Sequence, residues 1–587
     1  MGAIRAGGGV KRDIIVPGES EPRGPEMTLK STIHPRIPIM IVVAAALAGA
    51  VLGLFEIANT SIGWHLASGD WILSHRAFLR ADPFSFTSGG APWIDHEWLF
   101  QVVVSIAYSL SGPAALVALR ALTIATLAVL LLVVGVRSGL SPPAALILSL
   151  ACVAGARGRF FLRPELVTLL IVPTAIWLYL GREQRSSAVW LAALGGLMLV
   201  GANSHGGVLV VPPLFIGILA AEIVQMALTR RWRRGRLVSG IAGIATTVGA
   251  LLINPYGWHL FTVPLRLSHL VNADYIPNPE WLSPSAAQAP VLYSALAASL
   301  VVLALRERRL SHWALLLMAS ALALQHIRNV GLFFVLLPVI ISPALATWHS
   351  LAADKEEDRH DRQRANLLAV IAVSVLALSL AIAPQPRFGF GFARDYYPDS
   401  ACSFMDAEGL PTAQLYNDVR FGGYLIHRYG PERQVFQDDR NEIHESLLRR
   451  IWEIFRSSDV TAWSELLAGY GADTALVRYH PPVSVRDPAG NDLGFRGFST
   501  LWFPDRDWAL VYWDDVAMVF VRRQTAPTGL LERYEYRVLR PDDLAHLVFR
   551  LTENPALLPV ITRELARAAR TNPTSWRAHA IADLIGG

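Results

Sequence analysis

Between residues 56 and 97 the chain gathers side chains that move protons: Glu56, His65, Asp70, Asp82, Asp95, His96 and Glu97. They sit in and around SIGWHLASGDWI and PFSFTSGGAPWIDHEWLF, directly after a long apolar run. A carboxylate at a membrane edge is costly unless it is paired or used. One placed against a hydroxyl can take its proton as a general base. Glu56, Asp70, Asp95 and Glu97 are therefore the candidate catalytic acids, with His65 and His96 as candidate substrate ligands. Simpler roles compete for two of the acids. Asp82 precedes Pro83 and fits a turn cap, and Asp70 fits a hydrogen bond to helix backbone.

A second set is basic. ARGRFFLRPE places Arg157, Arg159 and Arg163 close together. Guanidinium forks hold phosphate oxygens in pairs, and the same residues also suit anchoring to anionic headgroups. Arg159 and Arg163 are candidate phosphate ligands. His205 in NSHGG and Arg328 in QHIRN sit at other helix ends and read either as ligands or as structural anchors. Asp438 and Asp439 follow an expected strand in QVFQDDR, where acidic groups often line a crevice in α/β domains, so both are candidate substrate-binding residues. Asp505-Arg-Asp507 has a DxD spacing but reads as a turn. The chain has no Walker loop, no zinc-spaced Cys/His set and no GxSxG, and so no recognisable site for a nucleotide-activated donor. No cofactor is assigned. A divalent metal stays open, with no metal-ligating residue named.

These groups need a scaffold, and the composition says which kind. Of 587 residues, 53% are hydrophobic and 17% charged, and the mean hydropathy is +0.37. The apolar residues come in blocks able to cross a hydrocarbon core of about 30 Å. The pattern reads as an α-helical polytopic membrane protein. The net charge of +5 fits cytoplasmic loops and membrane lipids as contacts, and nothing resembles a nucleic-acid module. Eleven apolar runs span 38–57, 114–135, 142–156, 164–181, 187–201, 208–228, 237–253, 290–305, 311–325, 329–347 and 367–384. Placing the arginine-rich loops at 230–236 and 306–309 in the cytoplasm orients the set. The charge parity then holds only if the short run 98–110 does not cross. Eleven spans follow, with the N-terminus inside and the C-terminus outside.

The expected organisation is a disordered cytoplasmic tail over 1–37, a membrane module over 38–384 with an extracytoplasmic loop at 58–113, an extracytoplasmic α/β domain over 385–540 and a helical tail over 541–587. In the α/β domain, LYNDV, QVFQDD, TALVRY, ALVYWDD and AMVFVRR read as strands, with helices between them. Cys152 and Cys402 are not expected to pair.

WHLASGDWIL, DPFSFTSGGAPWIDHEWLFQ, NSHGG, NPYGW, EWLSP, FGGYLIHRYGPERQVFQDDR and VYWDDVAMVFVRR, in this order from about residue 39 to about 523, resemble a bacterial family of multi-pass membrane proteins described as GT-C-type glycosyltransferases or glycosyltransferase-like proteins. The resemblance implies a sugar carried on a polyprenyl phosphate, an acidic base on the first outer loop and interfacial helices before the second span. It also implies transfer with inversion to a glycan, lipid or protein acceptor at the outer face of the bacterial inner membrane. FGGYLI…QDDR is similar in placement to the acceptor-binding segment of oligosaccharyltransferases. The chain departs from the family at one point. Relatives commonly carry one or two aspartates just before WHL, and Asn59, Thr60 and Ser61 stand there instead. Either another acid serves, or the chain is a catalytically silent relative that binds lipid-linked glycan or scaffolds envelope assembly. A transporter is a third reading, against which stand the lack of an internal repeat and the scarcity of mid-span charge, Arg120 excepted.

Overall fold

The computed structural model describes residues 36–271, 279–352, 387–486 and 492–586, with positions 363 and 367. The expected N-terminal tail, up to residue 35, and the apolar run 367–384, apart from residue 367, lie outside the described residues.

Twelve helices make the first part: α1 (Ile39–Gly53), α2 (Ile62–His75), α3 (Trp98–Arg137), α4 (Pro142–Gly155), α5 (Glu165–Leu180), α6 (Ser187–Ala202), α7 (Val211–Thr229), α8 (Arg234–Leu251), α9 (Val263–Val271), α10 (Pro290–Arg306), α11 (Leu310–Gln325) and α12 (Val330–Ala352). Among the described residues three stretches are long and apolar enough to cross a membrane, Trp98–Arg137, Gly206–Thr229 and Ile327–Thr347, and six shorter apolar helices accompany them. The 40 residues of α3 would extend about 60 Å if straight, twice the thickness of a hydrocarbon core. The helix is interrupted at Ser111 and Gly112, where Gly112 adopts φ 58°, and Pro113 opens the second arm. The break falls between the apolar runs 98–110 and 114–135.

Small residues let α1 approach α3. A Cβ on Gly49 would lie 2.8 Å from the Ile124 carbonyl oxygen, and one on Gly53 2.7 Å from Ala121 Cα, the contact that small side chains permit between apolar helices. Arg120, buried beneath this contact, donates to the carbonyls of Gly53 and Phe55 and covers the Phe55 ring. It serves as a structural staple. At the opposite end of the bundle, buried Arg182 pairs with Glu222, which also meets Arg236 at 2.7 Å.

The C-terminal region is an α/β unit. Strands β1 (Gln414–Asn417), β2 (Ala472–Arg478), β5 (Trp508–Trp513) and β6 (Ala517–Arg522) form one sheet in the order β1-β2-β6-β5, parallel between β1 and β2 and antiparallel elsewhere. Strands β3 (Val483–Arg486) and β4 (Asp492–Arg496) form a separate hairpin. Helices Leu558–Thr571 and Trp576–Gly586 insert Ile561, Leu565, Ala568, Ala578 and Ile581 into the core beside the sheet. Both cysteines are free and buried.

One expected strand is absent. QVFQDD is an extended segment that bridges Ser85 through Val435, outside the sheet. Val435 donates to the Phe84 carbonyl at 2.9 Å, and Phe86 donates to the Val435 carbonyl at 3.1 Å. The segment's backbone is satisfied by the loop 58–113 on one side and by the Asn417 side chain of β1 on the other, so it has no need of a strand partner in the domain.

That loop and the α/β unit therefore share one core. Trp64, Ile72, Leu79, Phe84 and Trp93 pack with Ala401, Cys402, Leu425, Ile426 and Val519. Full burial of an apolar side chain such as Phe84, 1% exposed, contributes roughly 1.5–3 kcal/mol. The tightest point joins α2 to helix Val419–Tyr429. A Cβ on Gly63 would lie 2.0 Å from the Gly423 carbonyl oxygen, and one on Gly423 2.1 Å from the Thr60 carbonyl oxygen. Both obstacles are backbone and cannot rotate away. Gly423→Ala is expected to push α2 off the domain and to destabilise the protein by about 1–3 kcal/mol or more. Thermal melting in detergent checks this, and an unchanged melting temperature would contradict the contact.

Candidate active site

The close approach at Gly423 places two acids that the sequence leaves equivalent into different environments. Gly422 lies against the Gln437 carbonyl and Asp438, which seats Asp438 inward and Asp439 at the mouth. Asp438 is wholly buried. Arg440 donates to it from Nε at 2.8 Å and Nη2 at 2.6 Å, and His444 Nε2 lies 3.1 Å away. Arg440 Nη1 also meets Asp82 at 2.9 Å, while Asp82 accepts from the backbone of Phe84 and Ser85. Burial alone would raise the Asp438 pKa, but Arg440 and His444 outweigh it and hold the carboxyl below the usual range. This cluster pins the loop to the domain, and Asp438 has no atom left for a substrate.

Asp439 is half-buried. The Thr60 hydroxyl donates to Oδ2 at 2.5 Å and the Trp64 indole to Oδ1 at 2.7 Å. Burial raises its pKa and neighbouring Asp438 adds to this, against those two hydrogen bonds and the charge of Arg163.

Glu97, 17% exposed in its side chain, lies among three imidazoles: His65 Nδ1 at 3.9 Å, His96 Nε2 at 3.7 Å and His205 Nε2 at 3.9 Å. His96 Nδ1 donates to the Ile94 carbonyl at 3.3 Å, which leaves Nε2 as an acceptor towards Glu97. His205 Nδ1 accepts from the Gly207 N–H at 3.2 Å, so its Nε2 carries the proton. His65 is 1% exposed, and its Nδ1 makes no hydrogen bond among the described residues. Burial pushes all three imidazoles down, His96 to about 4. Burial, then Asp95, pushes Glu97 well above the ordinary carboxyl value. The pocket thus holds a carboxyl whose charged form burial disfavours, among imidazoles whose charged forms it disfavours too, all able to exchange hydrogen bonds with a polyol.

The basic side of the pocket comes from the connection between α4 and α5 and from the head of α12. Arg159 is buried and donates to Glu165 Oε1 at 3.0 Å and to Glu280 Oε2 at 3.2 Å. Arg163 Nη1 meets Glu280 Oε1 at 2.9 Å. Arg328 stacks on the Trp281 ring at 4.3 Å and has no ion pair or hydrogen bond among the described residues. Glu97 feels Arg328 and Asp439, and His65 feels Arg163, so the acidic, imidazole and guanidinium groups face one another.

Asn59 explains how the chain does without an acid before WHL. Its Nδ2 donates to the Leu162 carbonyl at 2.8 Å, while Oδ1 accepts from Ser61 Oγ at 2.9 Å and from Arg163 Nε at 3.3 Å. An aspartate here would set a carboxylate oxygen against the Leu162 carbonyl.

Of the twelve expected site residues, Glu97, His65, His96, His205, Arg159, Arg163, Arg328 and Asp439 come together. Four do not reach the pocket. Glu56 covers Gly389 and is bound through its backbone to Arg387. Asp70 is exposed and accepts from Ser105 at 2.5 Å. Asp95 is buried behind Glu97, accepting from Gln101 at 2.5 Å, and Asp438 is locked as above. Thr60, Trp64, Glu280 and the half-buried Glu442, which faces both Asp95 and Glu97, are additions to the site. Asp505 and Asp507 lie in a turn. Among the described residues no three His, Cys, Asp or Glu side chains are placed to hold a metal ion. The donor set does not fit a divalent metal, because Arg159, Arg163 and Arg328 occupy the face that would need anionic ligands. A separate cleft of about 240 Å³, lined by Tyr429, Glu432, Arg433 and Gln434, contains none of the site groups.

Asp95 titrates anomalously, raised to about 7 chiefly by burial. A carboxyl whose folded pKa exceeds its unfolded value costs stability as pH rises from the unfolded pKa to the folded one. Wild type should therefore lose stability between about pH 4 and 7 through this group. Asp95→Asn should shrink the difference in melting temperature between pH 5 and pH 8. An unchanged difference would show that Asp95 does not titrate in this window.

No family model matches the chain, and no curated protein matches it. Among solved structures it is similar to the crystal structure of the Archaeoglobus fulgidus oligosaccharyltransferase in the apo form, with TM-score 0.49 and 13% identity over 80% of this chain and 75% of that chain. No residue correspondence follows from a likeness at this level.

Proposed function

We propose that the chain is an integral membrane glycosyltransferase. It transfers a sugar from a polyprenyl-phosphate donor to a glycan, lipid or protein acceptor at the outer face of a bacterial inner membrane, within an eleven-span arrangement. The supporting observation is the meeting of Asp439 and Glu97 with Arg159, Arg163 and Arg328 in one pocket. In this reading the donor phosphate lies against Arg328, and the sugar lies over Glu97, His96 and His205. The acceptor hydroxyl gives its proton to Asp439 and its oxygen attacks the anomeric carbon. The bond from that carbon to the phosphate oxygen breaks with inversion, and polyprenyl phosphate leaves on the guanidinium charge. The domain order of the sequence reading is kept, with the α/β unit supplying Asp439 from the acceptor side.

Transfer of radiolabelled sugar from a panel of polyprenyl-phosphate sugars, in membranes holding this protein or its Asp439→Asn variant, tests the reading. Transfer lost in the variant supports it. Lipid-linked glycan bound without transfer from any donor would instead support a silent, glycan-binding relative.

A further inference from the structure

The guanidinium face carries a charge count that bears on which lipid phosphate it accepts, and this inference rests on the reading just given. Arg159, Arg163 and Arg328 supply three fixed positive charges. Glu165 and Glu280, the carboxylates in contact with them, supply two negative ones, through contacts of 3.0 Å for Arg159–Glu165, 3.2 Å for Arg159–Glu280 and 2.9 Å for Arg163–Glu280; Asp439 acts on Arg163 without an ion-pair contact among the described residues. Arg328 is left, half-buried on Trp281, facing those same four groups with no ion pair or hydrogen bond of its own among the described residues. Glu280 itself is ionised. Burial works against this, but Arg163 and Arg159 bring its pKa down to about 2.

Glu280 is also fixed in place. It sits on the turn Pro279–Trp281, whose neighbour Leu282 accepts from the Ile327 N–H at 2.9 Å, and His326 Nδ1 lies 2.6 Å from the Trp281 carbonyl. The turn is clipped to the segment that carries Arg328. The carboxylate therefore occupies a second anion position between two guanidiniums, next to the one position left open.

We infer that this site selects a donor joined to its lipid through a single phosphate, and that Glu280 is the specificity-determining residue that disfavours a diphosphate. A sugar phosphodiester carries one negative charge and matches the one uncompensated guanidinium. A diphosphate diester carries two, and its second phosphate would have to displace Glu280 or lie beside it. Like charges confined at such distances are strongly disfavoured.

The test uses the full-length protein in nanodiscs and two sugar-free probes of equal chain length, a methyl-capped polyprenyl phosphate and a methyl-capped polyprenyl diphosphate. Wild type should bind the monophosphate at least about tenfold more tightly, a modest figure for one uncompensated like-charge contact. Glu280→Gln should cut that preference several-fold, mainly by improving diphosphate binding. Arg328→Gln should weaken the monophosphate and leave the residual preference to Glu280. Equal binding of both probes by wild type would overturn the inference and leave the glycosyltransferase reading standing. So would an unchanged ratio in a Glu280→Gln protein whose melting temperature shows it folded. Binding of neither probe by wild type would overturn both.

Discussion

Arg440→Gln should unfold the joint between the loop 58–113 and the α/β domain, with a loss of about 3–5 kcal/mol, the usual cost of removing one partner from a buried ion pair. Arg440 is 1% exposed and lies between Asp82 and Asp438, both themselves buried. Phe84 and Trp93 approach its guanidinium at 5.3 and 4.7 Å, so water has no ready access to replace it. Glutamine would leave two carboxylates facing each other across the vacated position with His444 alone to answer them. The predicted outcome is a large fall in melting temperature and early proteolysis within 76–97. The triple replacement Asp82→Asn, Arg440→Met, Asp438→Asn separates charge burial from packing. It should recover much of the loss, because the cost of the single change lies in the uncompensated charges. If the triple variant is as unstable as the single one, the cluster matters for shape and the charges are incidental.

This joint also marks where reading the sequence stops working. The helices over the apolar runs were legible because such runs are local signals. The break in α3 coincides with Ser111-Gly112-Pro113, a place where helix propensity itself fails. The wealth of polar and aromatic residues in the loop singled it out, and the structure brings His65, His96 and Glu97 of it together. The identities within it were not legible. Trp64 and Asp439 are 375 positions apart and meet through one hydrogen bond, and no periodicity encodes such a pair. QVFQDD has strand composition, yet its hydrogen-bonding partner is a loop 350 residues earlier, so local propensity pointed to the wrong neighbour. Gly422 and Gly423 are the paired glycines of FGGYLI, but only the structure shows that each is a point of backbone contact.

Glu280 left a trace that could have been followed. Three arginines so close together demand counter-ions, and NPEWLSP holds the acid that pairs with two of them. Asn59 is the reverse case. Absence of an expected aspartate suggests lost activity, yet the amide is consumed on all sides in seating Leu162, Ser61 and Arg163. The acid's position has been given over to structure, while Glu97 and Asp439 stand as the two candidates for the proton-accepting role.

Which of those two takes the acceptor's proton has the largest consequence for activity. Asp439→Asn is expected to lower kcat by about 10²–10⁴-fold, the range that a positioned general base supplies, with little change in stability. Asparagine keeps the shape, and its carbonyl oxygen still accepts from either Thr60 or Trp64, but it cannot take a proton. Asp439 is suited to the role because it is half-exposed on the domain side and is oriented by hydrogen bonds at 2.5 and 2.7 Å. Its pKa, raised by burial and Asp438, brings it nearer the working pH. Activity should therefore rise with pH through an ionisation above the ordinary aspartate value. Thr60→Val or Trp64→Phe removes a hydrogen bond that favours the ionised form and should move that ionisation further up. Glu97→Gln should behave differently. Burial disfavours the charged form of this acid and the amide keeps its hydrogen-bonding shape, so Glu97→Gln should chiefly raise KM for the donor sugar and leave the pH profile in place. If instead Glu97→Gln abolishes the ionisation and Asp439→Asn spares it, the base lies on the first loop, with Glu97 as the proton acceptor and Asp439 as a ligand of the acceptor substrate.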